Sequence, residues 1–211
     1  MLGVYNYMAA ALTLTGIVAM LVSQSQPMLQ LIFGTPLKWV FMLAPLGFVM
    51  FLGFRIHKMS ASAAQMTFWA FAAVMGVSMA SIFMVFTGTS IARTFFVTAV
   101  AFGALSLYGY TTKRDLSAMG SFLIMGVVGL FLAMIVNLFL QSTMMQMVIS
   151  AVGVLLFAGL TAYDTQKIKD TYDAMDSSEI AGKKAIMGAL MLYLDFINMF
   201  QFLLSFLGQR E

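Results

Sequence analysis

Gly188-Ala189-Leu190-Met191-Leu192-Tyr193-Leu194-Asp195-Phe196-Ile197-Asn198-Met199-Phe200-Gln201-Phe202 decides how this 211-residue chain is to be read. The apolar run around it extends from Ala185 to Leu207, the length at which a helix crosses a bilayer, since about 20 residues span the roughly 30 Å hydrocarbon core. Counted from Ala185 at about 1.5 Å per residue, Asp195 lies roughly 15 Å deep, close to the midplane. An unpaired carboxylate there is costly, so Asp195 must be protonated, paired or hydrated. An ionisable group at such depth marks a functional site by default.

The rest of the chain has the same character. It is 62% hydrophobic and 9% charged, where soluble domains carry about 25% charged residues to face water. Apolar runs between polar breaks predict an all-α membrane protein, a bundle of seven transmembrane helices forming one domain over residues 1–211. The spans are 4–23, 36–54, 63–87, 92–111, 118–140, 144–166 and 185–207. The breaks fall at Gln24-Ser25-Gln26-Pro27, Arg55–Ser60, Thr87–Ser90, Lys113-Arg114-Asp115, Gln141-Ser142-Thr143 and a polar stretch from Lys167 to Lys184. No Lys or Arg precedes the run Tyr5–Val22, which exceeds the length of a signal-peptide core and is read as a retained helix.

With a cytoplasmic amino terminus, the inner side holds Arg55, Lys58, Lys113, Arg114, Lys167, Lys169, Lys183 and Lys184. The outer side holds Lys38, Arg93 and Arg210, and eight against three favours that orientation. The net charge of +3 therefore serves orientation and lipid headgroups and does not indicate nucleic acid. The chain has no cysteine, which removes disulfides, thiolate metal sites and cysteine nucleophiles. Small residues such as Gly103, Gly126, Gly129, Gly153, Gly159 and Ala70–Ala73 read as places where helices pack closely.

Around Asp195, Asn198 and Gln201 follow at successive i+3 positions, so the three can line one polar stripe toward the bundle interior, with Tyr193 a further polar candidate. The structural alternative is a satisfied interhelical hydrogen-bond cluster. Asp164, in Ala162-Tyr163-Asp164-Thr165-Gln166-Lys167, closes the sixth span near the cytoplasmic interface by depth counting. Arg55, at the inner end of the second span, is the nearest candidate counter-charge, and His57 reads as part of the same basic anchor. The acidic residues Asp170, Asp173, Asp176 and Glu179 form a diffuse patch in the last polar stretch, either a solvated loop or a lure for cations. Depth counting leaves Asp164 and Asp195 roughly 15 Å apart along the membrane normal.

The run Gly109-Tyr110-Thr111-Thr112-Lys113-Arg114-Asp115-Leu116, the segment Ala162–Gln166 and above all Gly188–Asn198 resemble a bacterial member of the Bax inhibitor-1-like, or transmembrane Bax inhibitor motif, family. The resemblance covers nearly the whole chain. It implies a seven-helix fold with the seventh helix central, an inner (plasma) membrane location and a pH-sensitive calcium leak. Two aspartates, matching Asp164 and Asp195, then form a pair that senses pH and transiently meets Ca²⁺. An arginine of the second helix bonds to that pair, and Arg55 matches it by position. No resident cofactor is implied, Ca²⁺ and protons being the transported or sensed ions, and the expected state is a monomer or weak oligomer.

The chemistry stands apart from the resemblance. Two carboxylates in low dielectric cannot both ionise side by side without repulsion, so such a pair titrates as a unit. A shared proton then acts as a latch, and its loss frees oxygens suited to a hard cation. A second reading is a regulatory protein that binds a membrane-anchored ATP-dependent protease, as some bacterial relatives do; its expected mark is a flexible amino-terminal tail, and this chain starts almost directly at its first helix. Enzymatic activity is the least favoured reading, because there is no His-Glu-x-x-His motif and the lone His57, at an interface, cannot partner a buried serine without an unusual fold. Ser106 and Ser205 read as packing residues.

Overall fold

Hydrocarbon leaves a spanning chain no water for its backbone amides, so helices are the economical solution for an apolar sequence of this kind. The computed structural model describes residues 1–173 and 175–209, and every regular element in it is helical. These are α1 (Leu2–Gln24), α2 (Gln26–Phe33), α3 (Leu37–Arg55), α4 (Ala61–Met79), α5 (Gly88–Thr111), α6 (Ser117–Leu140), α7 (Thr143–Asp170) and α8 (Ser178–Leu207), with 3₁₀ segments at Ile56–Lys58 and Ala80–Met84. Seven helical segments are long and apolar enough to cross a membrane, all but the eight-residue α2. Large apolar side chains such as Phe139 and Val100 stand exposed on them, as lipid-facing residues do. The protein is an all-α membrane protein.

The helix bounds differ from the sequence reading in three places, one being the span expected over 63–87, where α4 ends at Met79, a 3₁₀ segment follows over Ala80–Met84, and α5 already starts at Gly88. The break after Gln24 holds α2, which starts just past an extended Ser25 with Pro27 in its first turn, where proline's missing N–H costs nothing. The polar stretch from Lys167 to Lys184 is largely helical, since α7 runs on to Asp170 and α8 begins at Ser178. Arg210, counted above on the outer side, lies outside the described residues.

The chain divides into two compact units, and α8 contributes to both: residues up to Tyr193 belong to the first, those from Leu194 to the second. In the first unit α1 and α4 approach closely at Gly76, where a Cβ would meet the carbonyl oxygen of Thr15 and the Val18 side chain at 2.7–2.8 Å. Tyr7, Phe68, Phe71 and Tyr193 form an aromatic cluster there, with Phe71 and Tyr193 centroids 5.2 Å apart. Two of the four residues of the acidic patch are ion-paired, Asp176 with Lys184 at 2.6 Å and Glu179 with Lys183 at 3.1 Å.

In the second unit glycines seat side chains of facing helices. Gly126 receives Leu156, Gly159 receives Leu123, Gly120 receives the Tyr163 ring and Gly153 the Phe202 ring. Gly103 and Gly129, grouped with them on sequence alone, have no such neighbour within 4 Å. The α6–α7 turn is made by Gln141 in the left-handed region, φ 49°. That turn returns α7 antiparallel along α6.

Candidate functional site

Within the segment Ala162–Gln166 on α7, successive side chains take different partners. The Ala162 backbone lies against Gly109 of α5, so closely that a Cβ on Gly109 would strike its carbonyl. Tyr163 covers Gly120 of α6 and carries the Lys167 ammonium 5.7 Å above its ring. Thr165, fully buried, donates to Thr161 O at 2.7 Å and bonds the Ser106 hydroxyl of α5 at 2.9 Å. Gln166 accepts from the Leu116 amide at 2.9 Å and donates to Arg114 O at 2.8 Å, tying the α5–α6 connection to α7. Lys169 adds a bond to Tyr110 O at 3.0 Å. Asp164 is thereby held on a helix clamped on several sides.

Its partner is Asp195. The two carboxyl groups meet side chain to side chain at hydrogen-bonding range. Asp195 is 4% exposed and Asp164 half-buried, and no N–H or O–H among the described residues reaches Oδ2 of Asp195. A hydrogen bond between two carboxyls needs a proton between them, because both groups accept and neither donates when ionised. The cation whose charge reaches Asp164 is Lys167, one turn further along α7.

The 15 Å separation expected from depth counting is therefore overturned. Asp164 does not close its helix, which continues to Asp170, about 9 Å further. Because α8 also begins earlier, at Ser178, the two extensions offset one another, and the meeting follows from the antiparallel register of α7 against α8 in the second unit: Asp164 meets Asp195, Phe157 stacks on Phe202, and Ser150 lies beside Ser205. Side-chain shape along the seam fixes that register, and helix ends do not.

The other sequence candidates separate. Asn198 is half-buried and donates to Leu194 O of its own helix at 2.8 Å, while Gln201 is exposed. The stripe fails because each i+3 step turns about 60° back around the helix, so two steps carry Gln201 about 120° from Asp195. Tyr193, two residues before Asp195, points the other way and bonds Thr15 Oγ1 of α1 at 2.7 Å. Arg55 stands exposed at the end of α3, in the first unit, and the side-chain charge recorded at Asp164 is that of Lys167. His57 is exposed beside it. Sequence reasoning missed Gln166 and read Ser106 only as packing; their signal was a polar type in an apolar helix.

Among the described residues no group of three or more His, Cys, Asp or Glu could hold a metal ion. Two carboxyls fall short of the six to eight oxygens a resident Ca²⁺ takes, so the pair can meet a passing cation only with water or backbone oxygens completing the shell.

A polytopic all-α membrane protein with a carboxyl pair inside the membrane-spanning helices is the class that fold and site define. The whole chain, residues 1–211, matches the family described as inhibitor of apoptosis-promoting Bax1. It is 47% identical over 211 residues to an uncharacterized protein of Rickettsia prowazekii, covering all of this chain and 89% of that one. It is 45% identical over 223 residues to an uncharacterized protein of Caulobacter vibrioides, covering 99% and 87%. To the inner membrane protein YbhL of Escherichia coli it is 44% identical over 211 residues, covering 99% and 90%. The chain belongs to the Bax inhibitor-1-like family.

Proposed function

We propose that the protein is a pH-sensitive leak pathway for cations, chiefly Ca²⁺, in a bacterial inner membrane, with its amino terminus in the cytoplasm. The observation that carries this reading is the contact between Asp164 and Asp195 within two spanning helices. Family membership and the inner-membrane location of the Escherichia coli relative support it.

The proton shared by the pair is the latch. While it is bound, α7 and α8 are joined at that level. When it leaves, two carboxylates about 4 Å apart repel by about 4 kcal/mol at an effective dielectric constant near 20, enough to compete with the packing of one helix turn. Rising pH therefore opens the path and falling pH closes it. The freed oxygens attract cations, suit a hard ion such as Ca²⁺ and repel anions.

The test is flux of Ca²⁺ through purified protein in liposomes across a pH series, with Asp195→Asn alongside. The wild type should leak more as pH rises and the variant should lose that dependence. Absence of flux above empty liposomes at every pH would remove the channel reading in favour of the regulatory one.

A further inference from the structure

The seam that holds the carboxyl pair alternates in character along its length. On α7, Asp164, Phe157 and Ser150 recur at seven-residue steps, each about 10 Å, and so share one face. At the level of Asp164 the seam is ionisable. At Phe157 it is dry: the Phe157 ring stacks on Phe202 of α8 with centroids 5.8 Å apart and planes 22° from parallel. Phe202 is pressed against the bare backbone of Gly153, whose missing Cβ would lie 2.6–2.7 Å from three ring carbons.

Beyond the rings the seam is polar again. Ser150 is fully buried and its hydroxyl lies 3.1 Å from that of Ser205 on α8. Gln146 Nε2 donates to Ser205 Oγ at 3.3 Å, and Gln146 Oε1 accepts from Asn137 at 3.2 Å. Two polar levels are thus separated by one pair of rings in a glycine seat.

We propose that the Phe157–Phe202 stack is the apolar barrier of the leak path, with the Asp164–Asp195 pair on one side and the Gln146–Ser150–Ser205 cluster on the other. The inference rests on the ion-path reading of the carboxyl pair and adds where the path is kept dry. An apolar neck excludes water, and an ion that must shed hydration to enter it meets no replacement ligands. The pair then governs how tightly α7 and α8 close, while the rings set the flux that remains when they are closed. Polarity of the side chain at position 202, more than its bulk, determines that residual flux.

The experiment compares Phe202→Leu with Phe202→Asn in the full chain reconstituted in liposomes. Leu and Asn share the number and branching of side-chain heavy atoms and are opposite in polarity. Ca²⁺ flux at acid pH, where the latch is closed, should stay near wild type for Leu. For Asn it should rise roughly tenfold, the equivalent of about 1.4 kcal/mol of barrier. Phe157→Leu against Phe157→Asn repeats the comparison from α7 and serves if the α8 variants do not give monodisperse protein. Equal flux from the Leu and Asn variants, with wild-type flux and its pH dependence intact, overturns the barrier and leaves the leak reading standing. No flux from the wild type overturns both.

Discussion

Tyr193 and Asp195 lie two residues apart on α8, 0% and 4% exposed, and they are opposite kinds of buried polar group. The Thr15 hydroxyl spends its proton on Ala72 O at 2.8 Å, so the 2.7 Å bond between Tyr193 and Thr15 has the phenol as donor. That chain is neutral and closed. Asp195 ends on another carboxyl, and its Oδ2 meets no donor among the described residues. Burial is the same in both, so burial does not mark the functional group; the partner's chemistry does. A hydroxyl chain needs nothing from solution to be complete, whereas a carboxyl pair needs a proton.

Removing the ionisable half of the comparison should have the largest effect. Asp195→Asn puts an amide N–H opposite Asp164, so the contact no longer needs a proton shared between two carboxyls. Ca²⁺ flux from liposomes should become flat across the pH series in which the wild type changes. A preserved pH profile would show that the pair is a structural contact like that of Tyr193.

Packing beside the pair can be separated from packing elsewhere. Gly109→Ala drives a methyl into the Ala162 backbone, and backbone yields less readily than a side-chain tip, so α5 must part from α7 at a cost of about 1–3 kcal/mol. Gly103→Ala, on the same helix with nothing within 4 Å, should instead stabilise by up to about 1 kcal/mol through helix propensity. Thermal loss of monodisperse protein in detergent reads both, and variants moving together would show that the glycine seat is not holding the helices. On the neutral side, Tyr193→Phe should cost about 1 kcal/mol, one hydrogen bond, because Thr15 keeps its bond to Ala72. Its flux should keep the wild-type pH profile.

How far the sequence reached depends on the kind of constraint. Seven spans were legible because hydrocarbon imposes a length, and only α2 escaped, its eight residues being hidden by Gln24-Ser25-Gln26-Pro27, which reads as a break. Asp195 was legible as a carboxyl in an apolar run. Its partner was not placed correctly, because depth counting assumes that helix ends are level. The register is set instead by local shape, by a ring seated on Gly153 and stacked on Phe157. Gln166 was quoted in a motif without a role, since its partners are backbone groups 50 and 52 residues away. A side chain that serves a distant loop leaves no periodic trace.

The smallest effect tests the comparison from outside the membrane-spanning helices. Asp115, exposed between α5 and α6, is held below the ordinary carboxyl value of 3.8 by hydrogen bonds from the Ser117 hydroxyl and, at 2.9 Å, from the Ser117 amide. A depressed value means that the folded state favours the ionised form. Its contribution to stability is present above the unfolded value and is lost as pH falls through the folded one. Asp115→Asn keeps an oxygen for the Ser117 amide and loses only the charge. Stability at neutral pH should be unchanged within error, the acid-side decline should be marginally shallower, and the Ca²⁺ flux profile should not move. A shift of that profile would mean that charge at the α5–α6 connection reaches the pair through Gln166, and the contrast between solvated and buried aspartates would need to include the loop.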